Sequence, residues 1–198
     1  MPRTPSASAH KKVLDAAILL IAKQGIETTS MDAIANKSGV SKATIYKHWA
    51  DKDALLLEVM AVVNGLDLRP SFDSGNTQSD LINVLAYRPQ QHAEAREQIM
   101  PHFMAYSAHN KEVGMAWRNM VMDPPRRELK HLLKQAIRKR EITPKLDLDL
   151  SLALLLGPIL YWFIFFREAE KDPRRIAEGV VHAFWRAFSL DKSGKRGS

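Results

Sequence analysis

Cysteine is absent from the 198 residues. That excludes a disulfide framework, a thiolate metal site and a cysteine nucleophile. It suits a reducing compartment, and a cytoplasmic protein is expected. The opening residues, MPRTPSASAHKK, have no apolar core and do not read as a secretory signal. There is no glycine-rich phosphate loop, no Gly-x-Ser-x-Gly elbow and no His-Glu-x-x-His. Carboxylates are scattered, so no general acid/base pair stands out. His102 and His109 have no carboxylate set beside them, so no metal is expected. These absences argue against an enzyme and against a cofactor. A membrane span needs about 20 apolar residues. The most apolar run, Leu150 to Phe166, is shorter, contains Ser151, Gly157 and Pro158, and lies between Asp149 and Arg167. No membrane partner is expected.

What is present is positive charge. The net charge is +7 and the isoelectric point is near 9.7, which favours a polyanionic partner. Lys37, Lys42, Lys47 and Lys52 form a local basic patch in which Asp51 is the only carboxylate from 37 to 52. The stretch from Ser30 to Trp49 reads as two short helices joined by a tight turn. Ser30 and Ser41 are N-caps. Gly39 suits a left-handed turn position, and Val40 plugs the corner. Ile34, Ala35, Ile45 and Trp49 point inward. The opposite side of the second helix offers Lys42, Ala43, Thr44, Tyr46, Lys47 and His48, small at first and then cationic, with no carboxylate of its own. Such a helix can enter a major groove, with its first residues at base edges and its lysines and hydroxyls at phosphates. A plain helical hairpin with a solvated cationic face is the competing reading. The register of cap, turn glycine, plug and second cap argues against it.

The rest of the chain reads as helices, about nine in all, and the fold class expected is all-α. His10 to Gln24 carries an inward stripe of Val13, Leu14, Ala17, Ile18 and Ile21, and Gly25 ends it. Asp51 caps a further helix expected to run until near Pro70. Residues 70–77 form a loop. Pro89 ends the next helix, Pro101 interrupts the one after, and Asp123-Pro124-Pro125 breaks the chain again. Arg126 to Arg140 is amphipathic. Leu150 to Phe166 is apolar all round, which predicts burial on every side with help from a second copy. A last helix spans residues 174–189. These two helices and their mates would form a four-helix seam using Leu154, Ile159, Trp162, Phe166, Val180, Phe184 and Phe188.

The words LDAAILLIAKQGIETTSMDAIA, KSGVSKATIYKHW and DKDALL resemble the amino-terminal DNA-binding domain of TetR-family transcriptional regulators. The resemblance covers residues 10–57 and shows no departure from the pattern. The KREIT and LLGPILY segments resemble one subgroup far less specifically. The resemblance implies an arm at 1–9, a helix-turn-helix domain at 10–56, a helical effector-binding and dimerisation domain at 57–190, and a tail at 191–198. It implies that Thr29, Ser30 and Lys52 meet phosphate. Ser41 would start the recognition helix, Lys42, Ala43 and Thr44 would face bases, and Tyr46, Lys47 and His48 would grip the backbone. Trp49 would be core.

Met100, Phe103, Met104, Trp117, Met120, Val121, Leu133, Tyr161 and Phe165 are the candidate effector pocket, because methionine and aromatic side chains adapt to varied apolar ligands. A plain hydrophobic core is the competing reading of the same residues. The function expected is a ligand-responsive regulator, usually a repressor in the family, in which a homodimer binds a near-palindromic double-stranded DNA operator and an unknown small molecule releases it. The alternative is a DNA-binding dimer without an effector, whose larger domain only dimerises or docks a protein.

Overall fold

The computed structural model describes residues 5–165 and 172–190. Among these the fold is all-α, and the only β-type pairing is an isolated antiparallel bridge between Ile142 and Ser189. The chain divides into two compact units. One takes the chain up to Arg69 together with Arg88–Met122. The other takes Pro70–Tyr87 and the chain from Asp123 onward.

The first unit holds α1 (Pro5–Gln24), α2 (Met31–Ser38), α3 (Lys42–His48), α4 (Lys52–Val63), α6 (Ala93–His109) and α7 (Lys111–Trp117). Helix α1 begins at Pro5, earlier than His10, because proline is tolerated in a first turn. Its Val13, Ala17 and Ile21 are buried with Ile34, Ile45, Trp49, Leu55, Val59, Ile99 and Phe103 in one core. Gly25 closes α1 with φ +86, and a Cβ there would stand 3.3 Å from His102 Nδ1. A side chain at 25 would be both strained and crowded.

Helix α4 ends at Val63, short of the expected end near Pro70. Asn64 Nδ2 donates to the Met60 carbonyl at 2.8 Å, and Gly65 takes φ 57, so the chain turns away. A short 3-10 turn, Leu66–Leu68, follows. Helix α6 runs straight through Pro101, which the sequence reading took as an interruption. One missing N–H does not stop a helix whose Ile99 and Phe103 are fully buried on either side. A π-helical turn, Arg118–Met122, follows α7.

The second unit holds α5 (Thr77–Ala86), α8 (Asp123–Arg138), α9 (Leu148–Phe165) and α10 (Pro173–Phe188). Asn76 caps α5, and the buried Asp80 carboxylate accepts from the Ser74 N–H and hydroxyl, closing the 70–76 loop. Helix α8 starts at Asp123, where a break was expected. Pro124 and Pro125 are its second and third residues, directly after the π-helical turn Arg118–Met122, where the regular α-helical bonding is already interrupted. Leu129, Leu132, Leu133 and Ala136 of α8 meet Leu81, Leu85, Leu155, Ala177, Val181 and Phe184 in a second core.

Helix α9 is only partly enclosed among the described residues. Ser151, Leu152 and Leu155 are buried, but Leu150, Leu154, Leu160, Tyr161 and Phe165 are exposed. No helix among the described residues is long and apolar enough to cross a membrane.

Candidate nucleic-acid interface

The second and third helices are set by their caps. Ser30 Oγ accepts the Ala33 N–H at 3.1 Å. Gly39 takes φ 68, and its N–H donates to the Ala35 carbonyl. Ser41 Oγ accepts the Thr44 N–H at 3.2 Å and lies 2.9 Å from the Thr44 hydroxyl. Ile45 and Trp49 are buried, and with them fixed, Ser41, Lys42, Ala43, Tyr46, Lys47 and His48 are all exposed, with Thr44 half-buried. Tyr46 keeps 50% of its surface open. That outward set is the surface expected from the sequence.

Three details were not legible in the residue pattern. Lys42 pairs with the Asp32 carboxylate of α2. The hydrogen bond to Asp32 raises the ammonium pKa against the opposing effect of desolvation. The reading surface is therefore not carboxylate-free once α2 is added. Thr29 is buried, and its hydroxyl donates to the Gly25 carbonyl at 2.7 Å, so it locks the α1–α2 connection and does not face solvent. Lys52 Nζ donates to the Ile26 carbonyl at 2.6 Å. An ammonium has three N–H donors, so two remain for an anion at the α4 start. A pattern of spaced residues shows which side chains could face a phosphate, but it does not show which backbone carbonyls compete for them.

Helix α6 reaches the same region. Tyr106 O–H donates to Asp53 Oδ1 at 2.7 Å. Desolvation first, and then this bond, push the phenol up to about 12, so it stays protonated and donating at neutral pH.

The nine candidate pocket residues are divided between the two units. The Phe103 and Trp117 rings meet at 5.4 Å with their planes tilted by 57° in the first unit, with Met100 packed against that core. Met104, Met120 and Val121 are half-buried in the same unit. Leu133 is enclosed in the second core, while Tyr161 and Phe165 lie on the surface of α9. An open groove in the first unit is lined by Ile18, Leu19, Ala22, His92, Ala95 and Gln98, among others, and contains none of the nine.

Of the candidate dimer residues, Leu154 is exposed, Ile159 and Trp162 are half-buried, and Val180 and Phe188 are half-buried against their own core. Phe184 is enclosed by that core. Phe166 lies outside the described residues, as does the 191–198 tail. Among the described residues no group of three His, Cys, Asp or Glu could hold a metal ion.

Known proteins share this arrangement. Residues 13–59 match the family described as bacterial regulatory proteins, tetR family. Residues 72–183 match the tetracyclin repressor-like C-terminal domain. An uncharacterised helix-turn-helix-type transcriptional regulator of Bacillus subtilis (strain 168), YdeS, is 26% identical over 182 residues, covering 92% of this chain and 91% of its own. The crystal structure of a Mesorhizobium loti protein assigned to the TetR-family regulators superposes with a TM-score of 0.67 at 22% identity, over 95% of this chain and 100% of that one. The Bacillus subtilis regulator FadR, solved in complex with stearoyl-CoA, gives a TM-score of 0.63 at 17% identity, over 87% and 95% of the two chains. The outward cationic face of α3 and these matches over both parts of the sequence lead to one conclusion: the chain belongs to the TetR family of DNA-binding transcriptional regulators.

Proposed function

We propose that this regulator works as a homodimer that represses transcription from a near-palindromic operator and is released by an apolar small molecule. The observation that carries the homodimer is the outer face of α9. Leu150, Leu154, Leu160, Tyr161 and Phe165 form an apolar strip left uncovered by the described residues. Strips of this kind mark association surfaces. A second copy related by a two-fold axis would cover it with its own α9 and present two α3 helices. Their half-site centres would be about 34–36 Å apart, or a multiple of that.

Support for an effector is the fold shared with FadR, whose structure contains stearoyl-CoA, together with the methionines and aromatics of α6 and α7. Release requires the effector to prefer a conformation that cannot span both half-sites. The reading without an effector is favoured by the complete enclosure of Phe103 and Leu133.

One experiment addresses both. The full chain is used to select duplexes from a randomised library, and the enriched duplex is then challenged with acyl-CoA and other apolar ligands. Enrichment of a two-fold motif and its release by a ligand are expected. A motif that no ligand releases leaves the dimer without an effector. Enrichment of nothing sinks the operator reading.

A further inference from the structure

Helix α3 has only seven residues. A helix that short has little stability of its own, so its orientation comes from its anchors. Ile45 is one anchor. A single anchor leaves the helix free to roll and tilt. The second is Trp49, which directly follows α3 and is 2% exposed.

Trp49 is held on two sides. Its indole stacks on His10 of α1, with ring centroids 4.7 Å apart and planes inclined by 22°. Its Nε1–H donates to Glu58 Oε2 of α4 at 2.6 Å. The other carboxylate oxygen, Oε1, lies 2.9 Å from His10 Nε2. One carboxylate thus serves both rings, one oxygen each. His48, the last residue of α3, sets its ring 5.5 Å from that of His10, nearly edge-on at 74°. Two half-exposed side chains from α1 and α4 therefore fix the position of the residue that ends the reading helix.

We propose that Glu58, with His10, is a positioning residue for DNA recognition: it fixes Trp49 and so the roll of α3 in the groove. Glu58 touches no DNA. Its carboxylate is engaged by His10 and the indole. The inference rests on α3 being the reading helix. The consequence is specific to discrimination. Base-edge hydrogen bonds need tight geometry, whereas phosphate attraction tolerates a small rotation. Loss of the clamp should cost selective binding more than general binding.

The test uses the full chain, the duplex it enriches most from a randomised library, and a scrambled duplex of equal composition. Glu58→Ala should lower the ratio of the two affinities about tenfold, the size expected for one charge-assisted hydrogen bond. The salt slope on the scrambled duplex should stay unchanged. Glu58→Gln keeps a carbonyl acceptor for the indole N–H and should restore the ratio to within about threefold of the starting value. Trp49→Phe keeps a ring and removes the donor. It should lower the ratio similarly, and adding Glu58→Ala should then cost less than about twofold more, since contacting residues are not additive. A purely structural Glu58 would lower the melting temperature and leave the ratio of the folded protein unchanged, which overturns the proposal. Failure of Glu58→Gln to rescue overturns it as well. Should Glu58→Ala not fold, Trp49→Phe with an unchanged ratio does the same. Enrichment of no duplex overturns the reading beneath it and the proposal together.

Discussion

Helices α3 and α9 stand in the same relation to their neighbours. Each buries one face in its own unit and leaves the other uncovered by the described residues. They differ in what is left uncovered. Over its seven residues α3 shows lysines, hydroxyls and a histidine, whereas over its eighteen α9 shows leucines, a tyrosine and a phenylalanine. The uncovered chemistry names the partner. A cationic face with caps in place suits a grooved polyanion, and salt screens that attraction. An apolar face suits another apolar face, which salt does not screen. The two surfaces can therefore be separated experimentally by what weakens them.

The largest effect should come from α9. Leu154→Glu places a charge on the apolar strip, and sedimentation should then show a monomer. Losing the second recognition helix removes the gain from linked binding, about 100-fold or more in operator affinity. A variant that stays dimeric and binds normally would remove α9 from the interface. Next come substitutions on α3. Tyr46→Ala should weaken operator binding by about 1–3 kcal/mol with the dimer intact. Lys47→Ala should also lower the slope of log affinity against log salt by about 0.9 if it neutralises one phosphate. Leu154→Val, by contrast, should leave that slope alone. If dimerisation proved as salt-dependent as DNA binding, the distinction between the two helices would collapse.

Asp32→Asn is a smaller and opposite change. It frees Lys42 from its exposed ion pair, which solvent screens. DNA binding should tighten about threefold, on scrambled duplexes as well as on the selected one. The smallest effect concerns Tyr106, which lies on neither surface. Its phenol is raised from 10 to about 12 in the folded chain, so the unfolded chain ionises first. The stability it contributes is intact below about pH 10 and is lost as pH rises toward 12. Tyr106→Phe should flatten that alkaline decline in melting temperature relative to the parent chain.

Much of the interface could be read from the residues because it is built from local rules. Ser30, Gly39 and Ser41 act within three or four residues of themselves, and their spacing alone sets two helices and a turn. Ile45 and Trp49 then decide which side faces outward. Backbone carbonyls that compete for a side chain escaped that reading. Thr29 was expected at a phosphate, but the Gly25 carbonyl takes its hydroxyl. Lys52 likewise meets the Ile26 carbonyl, 26 residues away in sequence. The prolines misled for a related reason. Pro124 and Pro125 sit directly after a π-helical turn, where the regular bonding is already interrupted, and Pro101 sits where packing on both sides outweighs one lost bond.

By itself the sequence determined the helical class, the caps and turn of the reader, and the cationic side that the second helix turns outward, because each of these is a short-range consequence of residue type and spacing. Tertiary structure alone decided that α6 and α7 share a unit with the reader. It also decided that Asp32 neutralises Lys42 and that Glu58 grips Trp49 and His10. Those pairings join residues on different helices, and only the folded path of the backbone sets the distances on which electrostatic and hydrogen-bond energies depend.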